Sequence, residues 1–348
     1  MKSSFVSSSA MQSMMRLTIS QSQARLVTAS TEATTGVYAD IGVSLGSGAA
    51  KSVSFSSAIA QTEAFQTSNS IISLRMDASQ AALSSIQDAG DALVSNLTAL
   101  QASQDSTSVA VALQSANDTL SQLVSTANTS VNGEFVFAGT NLDVQPLTDK
   151  SAAISDKIVS ALEDYASSLG KSTNELSGEE ITTFISDTVE PMFSESAWTD
   201  VTEGWSSASS TNMTSRISTS ETITSSTNAN SEGMRYLALA SITTTALFGQ
   251  DLGTDAQSAV ASKAISYAAQ ATSGIVTQQS QLGLSQERVE KANDALDAQS
   301  SLLQSKLVDL QGVDVYEAST LVNSLQTQLE TAYTLVSKLQ QLSLVNYL

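Results

Sequence analysis

The feature that most constrains the fold is a repeat of small and apolar residues near the C-terminus. These residues alternate four and three positions apart, and they are Ala318, Val322, Leu325, Leu329, Ala332, Val336 and Leu339. Heptad spacing places them on one side of an α-helix, and a partner helix is needed to remove that side from water. Leu342, Leu344 and Tyr347 follow among few polar residues. We therefore expect this segment to be covered by the N-terminal segment, by a second subunit, or by both.

Composition excludes several kinds of active site. The 348 residues include no cysteine and no histidine, which rules out disulfides, thiolate or imidazole metal ligands and a Ser-His-Asp triad. Carboxylates could still act as acids and bases, but no acidic pair lies in a pocket-forming pattern. We expect no enzyme activity, no metal and no cofactor. Aromatic residues make up only 5% of the chain, which favours long helices with narrow seams over one large core.

The net charge of −19 argues against nucleic acid and against anionic membrane surfaces as partners. No apolar run approaches the roughly twenty residues of a membrane span. The first nine residues also lack the hydrophobic stretch of a secretory signal. We expect either a cytosolic protein or one exported without cleavage of a signal peptide.

Helical spacing dominates both sides of a central segment. Up to about Thr35 a weak apolar face is formed by Met11, Met14, Met15, Leu17, Leu26 and Val27. Glycines then indicate a loop that leads into a helix. From Ser54 to Ser130 two long helices joined near Asp105 predict an antiparallel hairpin, in which Gly90 permits close approach. Asn132-Gly133, followed by Phe135 and Phe137, predicts a β-turn or hairpin. Asp314 is a candidate cap for the final helix.

The segment from about 141 to 232 has a different composition. Ser177 and Glu180 have the spacing of a capping box that opens a short helix, which Pro191 should end. Trp198 and Trp205 predict a small aromatic core, and Ile217 and Ile223 lie in predicted exposed strands. Acidic residues accumulate here; a calcium site and a solvated acidic surface are both conceivable, and the lack of EF-hand spacing favours the surface.

Together these patterns predict a mainly α fold. It has long antiparallel helices, paired N- and C-terminal coiled-coil helices and a small inserted mixed α+β domain. The predicted domains are a terminal coiled-coil domain, a long-helix domain and an inserted outer domain. Their ranges are 1–40 with 312–348, 41–140 with 233–311, and 141–232.

Four segments resemble the bacterial flagellin-like family. They are Asp314–Leu348, Asn132–Thr140, Ser20–Gly36 and Ile223–Leu237. Within that family the chain is most similar to the hook–filament junction group, the third hook-associated proteins. The closing Asn346-Tyr347-Leu348 departs from many filament flagellins. The residues after Gly36 depart from many relatives, so the contacts of that loop are not transferred to this chain.

The resemblance implies a structural adaptor in the extracellular flagellum, exported without a cleaved signal peptide. Its subunits would form a ring between the other hook-associated protein on the hook side and flagellin on the filament side. A dedicated cytosolic chaperone would guard the C-terminal helix. We expect the assembly interface to consist of Leu325, Leu329, Val336, Leu339, Leu342, Leu344 and Tyr347. Two alternatives stay open: a filament flagellin with the same architecture, and an unrelated cytosolic coiled-coil scaffold.

Overall fold

The structure is a computed structural model that describes residues 8–103 and 105–345, with side chains for 10–103 and 105–338. The fold is mainly α, as predicted. The helices are α1 (Ser8–Thr35), α2 (Ile41–Leu45), α3 (Ala49–Ser103), α4 (Ser106–Ala127), α5 (Ser151–Ser168), α6 (Gly178–Phe184), α7 (Glu195–Trp198), α8 (Glu232–Phe248), α9 (Thr254–Gln311) and α10 (Val315–Val345). The strands are β1 (Ser130–Val131), β2 (Glu134–Phe135), β3 (Thr214–Arg216) and β4 (Thr222–Thr224).

The chain divides into two compact units. The first, called the terminal unit, combines the described residues up to Ala64 with those from Ala295 onward; the second, the central unit, is Phe65–Asp294. Residues 141–232 share one hydrophobic core with α4 and α8 inside the central unit. The predicted division into three domains stays a prediction.

In the terminal unit, α1 and α10 pack against each other in antiparallel orientation. A short 3-10 turn at Gly46–Gly48 leads into α3, which begins at Ala49. The prediction that the glycines form a loop leading into a helix is therefore confirmed. The side chain of Gln311 at the end of α9 donates a hydrogen bond to the Ser52 hydroxyl on α3.

In the central unit, α3 and α4 form the predicted antiparallel hairpin. Asn96 donates to the Ser115 hydroxyl at 2.9 Å, and the Thr119 hydroxyl donates to the Ala89 carbonyl at 3.2 Å. Gly90 permits close approach as predicted, but to other helices of the unit and not to α4: a Cβ there would lie 3.2 Å from Thr272 Oγ1 and 3.4 Å from a methyl of Leu237. The interior face of the hairpin is apolar and includes Leu83, Ile86, Leu93, Leu97, Ala116, Leu120 and Leu123.

Helix α8 is buried on nearly all its faces and forms the centre of this core. It approaches α9 most closely where two glycines meet. A Cβ on Gly274 would lie 2.8 Å from the Cα of Gly233, closer than real side chains allow. The absence of side chains at both positions therefore sets the distance between the two helices.

The predicted turn at Asn132-Gly133 joins β1 to β2. Both residues have positive φ, 55° and 85°, as a two-residue hairpin turn requires. Each strand is only two residues long, with Val131 opposite Glu134. Phe137 lies beyond the strand and is fully buried in the core. The Arg75 guanidinium on α3 forms an ion pair with Glu134 and holds the hairpin against that helix.

The segment 141–232 contains the predicted capping box and aromatic core. The Glu180 carboxylate accepts from the Ser177 N–H at 2.8 Å, and the Ser177 hydroxyl accepts from the Glu180 N–H. Trp198 and Trp205 stack with ring centroids 5.5 Å apart.

Pro191 does not end α6 as predicted. The α-helix ends at Phe184, and a π-helical turn and a 3-10 turn continue to Phe193. Proline fits the first turn of that 3-10 helix, where its missing N–H costs nothing.

The prediction that Ile217 and Ile223 are exposed is wrong, although the neighbouring residues do form strands. Both side chains are buried in a second hydrophobic cluster with Ile72, Met76, Leu282, Val289 and Ala292 of α3 and α9. Strands β3 and β4 form a two-stranded sheet. One face of this sheet packs on α3 and α9, and the threonine side chains on the other face are exposed to water. Sequence alternation identified the strands but not the surface they cover.

Candidate assembly surface

The antiparallel pair of helices α1 and α10 is called the terminal hairpin. The heptad residues of α10 form its buried side. Leu325 and Leu329 are only 5% and 7% exposed, and Ala318 is also buried. Val322, Ala332 and Val336 are half-buried, whereas the residues between Val322 and Val336 that lie outside the repeat are exposed. The side on which the heptad repeat lies is therefore the side that packs on α1.

Helix α1 carries a matching repeat that the sequence analysis identified only in part. Its least exposed residues follow the same alternation and are Met15, Ile19, Ser22, Leu26, Ala29 and Ala33. Four other residues of the predicted face are exposed, and they are Met11, Met14, Leu17 and Val27. Apolarity alone selected those residues; the three-and-four spacing, applied strictly, would have excluded them. Serine and alanine in the repeat let the two helix backbones approach closely.

Polar contacts fix the register of the hairpin at two places. Near its middle, Gln23 Nε2 donates to the Tyr333 hydroxyl at 2.7 Å. At its closed end, the Tyr38 N–H donates to the Gln311 carbonyl and the Val313 N–H to the Gly36 carbonyl, both at 3.0 Å. Gly36 has φ +71°, a backbone conformation that favours glycine.

Acidic side chains cap the helices at this closed end. The Asp314 carboxylate accepts from the Tyr316 N–H at 2.8 Å and from the Glu317 N–H at 3.2 Å, so the predicted cap of α10 is confirmed. Asp40 accepts from the Val43 N–H at 2.9 Å and caps α2 in the same way. Both carboxylates lie at helix N-termini, where the helix dipole favours negative charge.

A second set of apolar side chains on the hairpin stays in contact with water. On α10, Leu321 and Leu335 are 48% and 47% exposed, and Tyr333 is 50% exposed. Because residues two positions apart do not share a helix face, Tyr333 and Leu335 lie on different sides of the seam. Together with Met14, Leu17 and Val27 of α1, these side chains are called the exposed apolar surface. They lie on several sides of the two helices and not in one patch, so neighbours on more than one side would be needed to cover them.

Sequence reasoning missed the leucine part of this surface. Leu321 and Leu335 lie two heptads apart, and Gln328, midway between them, is exposed as well. One further heptad leads to Leu342, one of the predicted interface residues. The signal was therefore present in the sequence as a second stripe beside the buried seam, but the glutamine interrupts it.

The predicted interface residues fall into three groups. Leu325 and Leu329 are buried within one chain against α1, and Val336 is half-buried there. Leu339, Leu342 and Leu344 lie in α10, but their side chains are outside the described ones. Tyr347 lies outside the described residues. The role of all seven in assembly stays a prediction.

The central unit contains a cavity of about 410 Å³ between α8 and the 3-10 turn that ends at Phe193. Arg235 and Glu190 line it, and each has a structural role. Arg235 donates to the Phe193 carbonyl at 2.9 Å, and Glu190 accepts from the Tyr267 hydroxyl at 2.6 Å. Burial and the Glu190 hydrogen bond raise the pKa of Tyr267, so this phenol stays protonated at neutral pH and holds α9 to the turn.

Two features were sought among the described residues: a cluster of metal-ligating side chains and a helix that could span a membrane. Among the side chains of residues 10–103 and 105–338, no group of three or more acidic residues could hold a metal ion. In the ranges 8–103 and 105–345, no helix combines the length and apolar character needed to cross a bilayer.

Two family models match the chain at its two ends. Residues 6–142 match the bacterial flagellin N-terminal helical region, and residues 265–348 match the bacterial flagellin C-terminal helical region. The two matches include both helices of the terminal hairpin, the α3–α4 hairpin and the turn at Asn132-Gly133. Residues 143–264, which include the aromatic core and β3–β4, lie outside both. A comparison with curated proteins finds no match.

Proposed function

Because the chain belongs to the bacterial flagellin family, we propose that it is the subunit of the ring that joins the flagellar hook to the filament. The family is structural, acts outside the cell in the flagellum and assembles from many copies. In the proposed role the chain catalyses no reaction. It presents one surface to the hook and another on which flagellin polymerises.

The observation that carries this proposal is the exposed apolar surface of the terminal hairpin. Complete burial of one leucine contributes roughly 1.5–3 kcal/mol, and Leu321 and Leu335 each remain about half exposed. Covering them in a ring of neighbouring subunits would recover part of that free energy. A hairpin with one apolar seam closed within the chain and further apolar side chains left open is suited to repeated side-by-side packing.

The buried seam has a supporting role in this proposal. Leu325 and Leu329 hold α10 on α1 and thereby determine which side chains remain outside. Val336, Leu339, Leu342, Leu344 and Tyr347 would extend the contact between subunits toward the C-terminus. Mutations in the seam would therefore affect assembly indirectly, through the shape of the hairpin.

The proposed partners follow from the position of the ring. The other hook-associated protein would contact it on the hook side, flagellin on the filament side, and identical copies within the ring. During export, a cytosolic chaperone would cover the C-terminal helix and prevent early association. The absence of cysteine suits a chain that is exported unfolded, because no disulfide has to be avoided.

A filament subunit is the second candidate, because it would use the same exposed apolar surface. The two functions differ in how far assembly continues: a filament subunit polymerises at length, whereas a junction ring stops after a fixed number of copies.

Deletion of the gene tests the proposal directly. Electron microscopy should show hooks without filaments, and flagellin should accumulate in the medium. Restoring the intact gene should restore filaments, which controls for effects on neighbouring genes. Filaments that persist in the deletion strain would favour a minor filament subunit. Normal flagella with normal swimming would instead favour the cytosolic scaffold.

A further inference from the structure

We propose that Asn132 is a site of spontaneous deamidation, at which a side-chain amide becomes a carboxylate through attack by the backbone nitrogen of Gly133. The pair lies at the tip of the β1–β2 hairpin, and both residues are exposed. It is the one Asn-Gly sequence in the 348 residues. This inference is independent of the function proposed above.

The turn leaves both reacting groups free. The side-chain amide of Asn132 and the backbone N–H of Gly133 have no hydrogen-bond partner in the described part of the chain. A Cβ placed on Gly133 would meet nothing within 4 Å, so the nitrogen is also open to approach. With glycine in second position, no side chain hinders the attack.

The reaction also requires the turn to rotate, and this hairpin offers little resistance. Two residue pairs form its ladder, Val131 with Glu134 and Ser130 with Phe135, and one more backbone bond joins the arms, from the Val136 N–H to the Thr129 carbonyl at 3.0 Å. Opening such a short ladder costs few hydrogen bonds, in contrast to a residue inside a helix. Glu134, the residue after Gly133, is held on α3 by its ion pair with Arg75, so the rotation has to take place at Asn132 and Gly133 themselves.

The chemistry balances without an added oxidant or cofactor. The Gly133 nitrogen loses its proton and bonds to the side-chain carbonyl carbon of Asn132. The bond from that carbon to the amide nitrogen breaks, and ammonia leaves with the proton. Water then opens the cyclic imide at one of its two carbonyls. The product is aspartate, or isoaspartate in which the main chain is longer by one methylene.

Other asparagines in the chain lack this combination. Asn228 is followed by alanine, and its amide donates a hydrogen bond to Asn212 at 2.7 Å. Three asparagines are followed by serine: Asn69, Asn230 and Asn323. Asn69 and Asn230 are buried and donate hydrogen bonds from their amides. Asn323 is exposed, but it lies within α10, where the backbone N–H groups are engaged in the helix.

The test is incubation of the folded full-length protein in mildly alkaline buffer made with oxygen-18 water. Peptide mass spectrometry then measures the deamidated fraction at each asparagine. We expect Asn132 to react at least about tenfold faster than Asn230 and Asn323, which corresponds to a barrier lower by about 1.4 kcal/mol. One labelled oxygen should enter at Asn132, and both aspartate and isoaspartate should form.

Asn132→Gln is the matched control, because it keeps an amide while the ring that closes on Gly133 becomes six-membered. Ammonia release from this variant should fall to the level of the remaining asparagines. The circular dichroism spectra of the two proteins should agree. An Asn132 amide that survives in the folded protein while Asn230 or Asn323 deamidates would overturn the proposal. Equal ammonia release from wild type and Asn132→Gln would do the same.

Discussion

Gln23 and Tyr333 lie 310 positions apart in the sequence, yet the Gln23 amide donates a hydrogen bond to the Tyr333 hydroxyl at 2.7 Å. A heptad seam alone would allow one helix to slip past the other by a whole repeat. This bond and the backbone bonds at Gly36 and Gln311 select one register. Tyr333 also belongs to the exposed apolar surface, so one residue joins the hairpin within the chain to the surface proposed for assembly.

Tyr333→Phe and Tyr333→Ala separate these two roles. Phenylalanine removes the hydroxyl but keeps the ring, and an exposed hydrogen bond contributes only about 0.5–1.5 kcal/mol. We therefore expect nearly normal swimming with Tyr333→Phe and a clear loss with Tyr333→Ala, measured on soft agar and by the number of filaments per cell. If the two variants are equally impaired, the hydroxyl rather than the ring determines the phenotype.

Aspartate at Leu329 or at Leu335 should give different defects. Leu335→Asp places a charge on the exposed apolar surface, so the free subunit keeps its structure but fails to enter the flagellum. Leu329→Asp places the charge in the seam, where an unpaired carboxylate costs several kcal/mol, and the hairpin itself opens. Proteolysis of the exported subunits distinguishes them, since only Leu329→Asp should expose new cleavage sites in α1 and α10. Normal incorporation of Leu335→Asp would contradict the proposed assembly surface.

In the isolated subunit, we expect amide hydrogens of α1 and α10 to exchange faster than those of α8. The seam buries few large side chains, chiefly Leu325 and Leu329, whereas α8 is surrounded by core on nearly all faces. Hydrogen exchange followed by mass spectrometry gives the comparison directly. Equal protection of α1, α10 and α8 would indicate a hairpin that is stable without neighbours, as the scaffold alternative requires.

The sequence predicted α10 well because a heptad repeat specifies both the helix and the side that packs. Ala318, Leu325 and Leu329 are buried as their spacing requires. The same holds for the Asp314 cap and the Asn132-Gly133 turn, where short-range chemistry decides the structure. These features need only a few neighbouring residues to be recognised.

Features that depend on distant contacts were predicted less well. Ile223 was expected to be exposed because serine and threonine surround it, but the helices beneath it come from remote parts of the sequence. In α1, Met14 and Leu17 were assigned to the packed face on hydrophobicity alone. A helix position is buried by what lies opposite it, and a partner at the other end of the chain is not apparent from the local segment.

Acid should weaken the start of α6 in a defined pH range. The hydrogen bond from Lys171 and that from the Ser177 backbone lower the pKa of Glu180 from 4.5 to about 2. Because the folded pKa is depressed, the stabilising contribution is complete above pH 4.5 and is lost as the pH falls toward 2. NMR titration of the Glu180 carboxyl should show this midpoint. In Lys171→Met the midpoint should rise toward 4.5, and an unchanged value would exclude Lys171 as the main cause.

Two glycines of α9 should respond to alanine with opposite signs. Alanine is a better helix former than glycine by about 1 kcal/mol. A Cβ at Gly283 would meet only the Gln80 amide, at 3.7 Å, so Gly283→Ala should raise the free energy of unfolding. At Gly274 the new Cβ would lie 2.8 Å from the Cα of Gly233, and backbone cannot move aside as a side chain can. Gly274→Ala should therefore destabilise the central unit by about 1–3 kcal/mol. Urea unfolding followed by tryptophan fluorescence measures both, because Trp198 and Trp205 lie in the same core. Stabilisation by Gly274→Ala would mean that α8 and α9 do not make this close approach.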